Sequence, residues 1–187
     1  MKTHMLRHGF LPCVIATILF SSATNAQTKP AETVDPDYLS FVQDFEKKVM
    51  AGDEKGVDDS IDMQKLLDKV VAGVPVSKGF ADGFRRGASK SSMGATLAAQ
   101  AKQGAAYRLL RVRTDKGETH AIYRMVLPNG GLNYHDWVLQ QSSDGKIRFV
   151  DGYMGTTGEN LSETFRRLYM TAASEAEPSH VGRSHGH

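Results

Sequence analysis

Two acidic residues, Asp136 and Asp151, have a spacing in this chain that indicates chemistry. Two carboxylates side by side repel each other, which raises the pKa of one and creates an acid–base pair. Arg108 and Tyr123 fall at positions from which both can reach that pair, provided that hairpins align the segments. The sequence therefore predicts a candidate pocket made of Arg108, Tyr123, Asp136 and Asp151.

The same four residues also fit a purely structural network. Arg108 would pair with one carboxylate and Tyr123 would donate a hydrogen bond to one. The remaining acid would cap a loop or the last helix. Carboxylates on an apolar sheet face are expensive unless they are paired in this way or hydrated.

The elements that must position these residues are strands in the second half of the chain. Four segments are rich in β-branched and aromatic residues and are separated by turn signals. They are Tyr107–Arg113, Glu118–Leu127, Leu132–Gln141 and Lys146–Tyr153. Short turns between four strands predict an antiparallel meander.

Turn lengths convert these strands into a register. A two-residue turn at Asn129-Gly130 sets Tyr123 opposite Asp136, and a four-residue turn at 114–117 sets Arg108 beside Tyr123. We expect this face, the more apolar one, to lie under the helices.

The last hairpin decides whether the two acids meet. A four-residue loop at Ser142–Gly145 sets Asp136 opposite Asp151, and a two-residue turn at Asp144-Gly145 makes them diagonal neighbours. A three-residue loop would send them to opposite faces, because side chains alternate along a strand.

The other face of the sheet combines a tryptophan with arginines and aliphatic side chains, a mixture typical of protein interfaces. Its candidate interface residues are Ile122, Arg124, Trp137, Leu139 and Val150. Two alternatives stand: a homodimer forms through this face, or the last helix covers it.

Helical periodicity occurs mainly before the strands. The sequence predicts helices over Asp37–Ala51 and Asp62–Ala72, one or two helices within Ser77–Gln103, and a last helix over Glu159–Met170. Helices followed by a meander predict an α+β fold, with N-terminal helices packed on a four-stranded antiparallel sheet and a C-terminal helix.

The N-terminus has the layout of a secretory signal peptide over residues 1–26. Lys2 and Arg7 precede an apolar run from Leu11 to Phe20, and small residues precede a cut after Ala26. The run is about half the ~20 residues that a membrane-spanning helix needs, so we expect no membrane span after cleavage. A flexible leader over 27–36, one domain over 37–170 and a disordered tail over 171–187 complete the predicted organisation.

Charge and cysteine content narrow the function classes. Cleavage after Ala26 removes Lys2 and Arg7 and no acidic residue, which takes the formal net charge from +2 to zero. Nucleic-acid binding needs an excess of positive charge, so we expect none. Cys13 is the only cysteine and lies before the cut, which excludes disulfides and thiolate chemistry from the mature chain. No cofactor and no metal site are predicted.

The order of elements, and the segment from Leu132 to Tyr153 in particular, resembles the NTF2-like, cystatin-like superfamily of α+β domains. The chain also resembles bacterial secreted proteins that share four short segments. These are Asn133-Tyr134-His135-Asp136, Asp144-Gly145-Lys146, Val150-Asp151 and residues 158–166. The resemblance implies a cone-shaped fold whose sheet often mediates pairing. It implies no catalytic residue, because no motif of the enzymes in that superfamily matches.

Three functions follow as expectations. The first is a periplasmic or extracellular non-enzymatic domain that binds a small ligand or a protein partner. The second is a small pocket enzyme of the isomerase or hydrolase type that uses Asp136 or Asp151. The third is an assembly component of the cell envelope that acts through the Trp137 face.

The signal-peptide hypothesis predicts that the exported protein begins at Gln27. N-terminal sequencing of the protein from a periplasmic or culture fraction should read Gln27-Thr28-Lys29. Exported protein that still begins at Met1 would contradict the hypothesis.

Overall fold

The computed structural model describes residues 35–177, which form helices and one sheet. The helices are α1 (Pro36–Ala51), α2 (Glu54–Asp59), α3 (Met63–Val71), α4 (Lys78–Ala88), α5 (Met93–Lys102) and α6 (Leu161–Ala176). The strands are β1 (Ala106–Asp115), β2 (Glu118–Val126), β3 (Leu132–Gln141), β4 (Ile147–Met154) and β5 (Glu159–Asn160). The fold is thus α+β, with helices on an antiparallel sheet and a C-terminal helix.

The sheet has five strands in the order β1-β2-β3-β4-β5, not the four that the sequence predicts. β5 begins at Glu159, the residue at which the sequence predicts the start of the last helix. It pairs with Tyr153 and Met154 at the end of β4. That helix begins at Leu161, because its capping box uses Asn160 and Glu163.

Other boundaries also differ from the predicted ones. α2 lies between the first two predicted helices, where the sequence predicts no element, and residues 77–103 contain the two helices α4 and α5. α6 continues to Ala176, so the predicted tail from Thr171 begins inside a helix. The predicted signal peptide, most of the predicted leader and residues 178–187 lie outside the described residues.

The first helix follows the sequence signals closely. The Asp35 side chain accepts a hydrogen bond from the Asp37 amide at 2.9 Å, and Gly52 ends α1 in the left-handed conformation at φ +69°. Val42, Phe45 and Val49 form its buried stripe. This stripe supplies the helical side of the core.

The register between β2 and β3 differs from the predicted one by a single residue. Tyr123 lies opposite His135, and Asp136 lies opposite Ile122. The cause is a three-residue loop of Pro128, Asn129 and Gly130, closed by a 2.8 Å hydrogen bond from the Leu127 amide to the Gly131 carbonyl. Gly130 ends the loop at φ +82°, a conformation that favours glycine.

A one-residue shift exchanges the faces of every side chain on the strand. The predicted arrangement, with Tyr123 and Asp136 under the helices and Trp137 on the other face, is therefore wrong. Tyr123 and Trp137 point into the core and are fully buried, and Asp136 lies on the opposite face. We call that opposite side the open face. By register it carries Arg108, Arg111, Arg113, Asp115, Glu118, His120, Ile122, Arg124, Tyr134, Asp136, Val138, Gln140, Arg148, Asp151 and Tyr153.

The β3–β4 hairpin repeats the same loop geometry. Ser142 donates to the Lys146 carbonyl at 2.8 Å around a three-residue loop that ends at Gly145 with φ +78°. This loop reverses the side-chain parity, and a bulge at Val150 restores it. Asp136 then pairs with Tyr153 and Asp151 with Val138, so the two acids occupy diagonal register positions.

Aromatic rings fill the space between α1 and the sheet. The Phe45 ring lies 4.6 Å from Phe149, 5.6 Å from Tyr123 and 6.0 Å from Trp137, centroid to centroid, in edge-on geometry. α3 and α6 pack on each other at the β4 edge, where Tyr169 lies against Phe80 and Phe84 of α4. None of the helices in residues 35–177 has the length and apolar character of a membrane span.

The packing predicts the effect of removing Trp137. Its indole is fully buried, so Trp137→Ala should lower the free energy of unfolding by about 3–5 kcal/mol. Tyr134→Ala, on the open face and 45% exposed, is the matched control and should change it by less than about 1 kcal/mol. Urea denaturation measures both, and equal losses would contradict the assignment of faces.

Candidate functional site

The structure separates the four residues of the predicted pocket. Tyr123 is in the core, where its hydroxyl donates to the Val42 carbonyl at 2.8 Å. Arg108 lies at the sheet edge and binds Glu46 of α1 at 2.9 Å. These two residues therefore contact neither Asp136 nor Asp151, and they stabilise the packing of α1 on the sheet instead.

Asp136 is the centre of a polar cluster on the open face. Its Oδ2 accepts from Arg113 Nη2 at 2.8 Å, and its Oδ1 lies 2.9 Å from His120 Nδ1. Arg113 also pairs with Asp115 at 3.2 Å. The cluster contains a carboxylate that orients an imidazole, the arrangement of an acid–base dyad.

Asp151 belongs to a different cluster and is nearly buried, at 6% exposure. Its carboxylate accepts from the Ser162 hydroxyl at 2.6 Å and the Ser162 amide at 3.2 Å, and Lys69 Nζ lies at 3.5 Å. Ser162 is in the first turn of α6, where a negative charge is favourable. Asp151 thus caps α6 from the sheet, as the structural interpretation of this acid predicts.

The predicted interface residues do not form one surface either. Trp137 and Leu139 are in the core under α1, and Val150 is buried at the bulge. Ile122 and Arg124 lie on the open face. The cover over Trp137 is Phe45 of α1, not the last helix or a second copy as predicted.

A buried network that the sequence analysis missed connects three strands. Trp137 Nε1 donates to the Tyr107 hydroxyl at 3.1 Å, which lies 3.1 Å from His135 Nδ1. His135 Nε2 lies 2.8 Å from Asn133 Nδ2. Asn133, His135 and Trp137 alternate along one strand, a pattern that indicates a shared face. The predicted register placed that face on the side away from the helices.

The partners of Asn133 determine the tautomer of His135. Asn133 Oδ1 accepts from the Thr156 amide at 3.1 Å, so Nδ2 must donate to His135 Nε2. The imidazole hydrogen is then on Nδ1 and is donated to the Tyr107 oxygen. Burial lowers the pKa of His135 to about 4, and a second proton on Nε2 would face an amide donor.

The open face carries side chains that the described helices leave exposed. Tyr134 is 45% and Tyr153 42% exposed, and Leu110 at the β1 bulge is 46% exposed. Arg111 and Arg124 are exposed, and neither makes a hydrogen bond or ion pair within residues 35–177. Tyrosine and arginine side chains are those most enriched at protein interfaces.

Comparisons with protein-family models and with curated proteins found no match for this chain. Within residues 35–177, no group of three or more His, Cys, Asp or Glu side chains could hold a metal ion.

The buried imidazole predicts a loss of stability in acid. Histidine has a pKa near 6.5 in the unfolded chain, and burial lowers the pKa of His135 to about 4. Protons therefore bind the unfolded chain more readily, so the contribution of His135 to the free energy of unfolding is complete above pH 6.5 and is lost as the pH falls to about 4. That contribution is about 3 kcal/mol. Urea denaturation across this range should show a flatter pH dependence for His135→Asn than for the wild type. Parallel curves for the variant and the wild type would contradict a neutral His135.

Proposed function

We propose that the protein is an exported, non-enzymatic binding domain whose open face receives an acidic segment of a protein partner. The observation that carries this proposal is the pair of unpartnered arginines, Arg111 and Arg124, among exposed tyrosines. Export is supported by the signal-peptide pattern of residues 1–26.

Binding is favoured over a pocket reaction by the filled core. Phe45, Tyr123, Trp137 and Phe149 occupy the space between α1 and the sheet, where a pocket of this architecture would lie. A domain with a packed interior and an exposed tyrosine and arginine surface has the features of an interaction module.

The charge of the open face selects the chemistry of the partner. Among the cations of this face, Arg108 pairs with Glu46, Arg113 with Asp115 and Asp136, and Arg148 with Asp144. Arg111 and Arg124 have no such partner within residues 35–177. Arg124 lies directly opposite Arg108, whose charge Glu46 of α1 balances, whereas Arg124 itself has no anionic partner within residues 35–177. A homodimer through this face would set arginine against arginine, so an acidic protein segment fits better than a second copy.

A second function, acid–base catalysis by His120, is favoured by its hydrogen bond to Asp136. A carboxylate that holds one imidazole nitrogen leaves the other available for proton transfer. Enzymes carry out small-molecule reactions in concave sites, whereas this dyad lies on the face of a sheet. Binding therefore remains the better supported function.

Fluorescence polarisation with a labelled polyglutamate peptide tests the proposed binding. The wild type should bind it, and the double variant Arg111→Glu with Arg124→Glu should bind at least about tenfold more weakly, a difference of about 1.4 kcal/mol. Binding should also weaken as salt is added.

The matched control carries the same change of charge elsewhere. Arg86→Glu with Lys90→Glu alters exposed residues of α4 and the following loop, and this variant should bind like the wild type. Equal losses in both double variants, or no binding by the wild type, would contradict the proposed function.

A further inference from the structure

α1 covers the first half of the outer edge of β1 but not the second half. β1 is the edge strand of the sheet. The Tyr107 amide donates to Met50 Sδ at 3.2 Å, and the Leu109 amide donates to the Glu46 carboxylate at 2.7 Å. α1 therefore occupies the first half of this edge with two of its side chains.

The second half of the edge begins at a bulge. The register shifts between Leu109 and Arg111, so β1 contains one extra residue there. The extra residue reverses which amides point outward, and the N–H and C=O groups of Val112 and Thr114 then face away from β2. Within residues 35–177, no backbone hydrogen bond outside the β1–β2 ladder involves either residue.

We infer that the β1 edge from Leu110 to Asp115 accepts an extended acidic segment of a protein partner, which adds to the sheet as a further strand. This inference rests on the proposed function and names how the same partner binds. Strand addition supplies main-chain hydrogen bonds, and alternate side chains of the added strand supply specificity.

The side chains on the two sides of this edge define the sequence that fits it. Arg111 and Arg113 lie on the open face, and Arg111 has no partner in residues 35–177. Val112 lies on the core side, opposite the buried Ala121. Arg113 already pairs with Asp115 and Asp136, so Arg111 is the cation that a partner's carboxylate would meet. An added strand would thus place a carboxylate beside Arg111 and a β-branched side chain beside Val112, an alternation of acidic and apolar residues.

The arginines of β1 also disfavour pairing of this edge with the β1 strand of a second copy of the chain. Two copies of β1 paired with each other would bring arginines together, which is how charged edge strands prevent self-association. An acidic strand reverses the sign of that interaction. The edge thus favours a different, acidic partner over a second copy of this chain.

Peptides that differ only in pattern test the inference. An alternating glutamate–valine peptide should bind at least about tenfold more tightly than a block peptide of the same composition. Methylation of the backbone amides on one edge of the alternating peptide should abolish that advantage, because strand addition needs these donors.

Hydrogen exchange locates the bound strand. The alternating peptide should slow exchange of the Val112 and Thr114 amides and leave the Tyr107 and Leu109 amides unchanged, since α1 already satisfies those two. Pattern-independent binding without protection of Val112 and Thr114 would overturn strand addition while the proposed function stands. Failure of the polyglutamate and alternating peptides alike would overturn both.

Discussion

The register between β2 and β3 is the constraint on which the rest of this structure depends. A three-residue loop that ends at Gly130 sets it, and the left-handed conformation at that glycine permits the loop. This register turns Tyr123 and Trp137 toward Phe45, and it turns Arg124 and Asp136 to the other side. One core and one open face both result from the length of one loop.

Several acidic side chains of the described residues serve to begin helices. Asp35, Asp53 and Asp62 cap α1, α2 and α3 with their own side chains. Asp58 reaches the start of α5, where it binds the Ser92 hydroxyl at 2.6 Å and the Gly94 amide at 2.7 Å, and Asp151 does the same at α6. Backbone amides at helix starts need acceptors, which explains these acids without catalysis.

The sequence predicted what local patterns control. The α+β class, the boundaries of α1 and the positions of four strands follow from periodicity and capping residues. The faces did not follow, because Pro128 joins the loop and makes three residues where Asn129-Gly130 alone predicts two. The bulge at Val150 has no local signal, and β5 forms only because the chain folds back beside Tyr153. Asp136 was singled out from the sequence, but its partners Arg113 and His120 depend on that register.

Engineered disulfides test the β2–β3 register most directly, since Cys13 is the only native cysteine and a chain that begins at Gln27 has none. Arg124 and Tyr134 lie directly opposite each other on the open face, at the Cβ separation of about 4.5–5.5 Å that opposite residues have. Arg124→Cys with Tyr134→Cys should therefore oxidise to an intramolecular disulfide and retain the native unfolding transition. Arg124→Cys with His135→Cys would be opposite only in the register shifted by one residue. A disulfide in that second pair but not in the first would contradict the account.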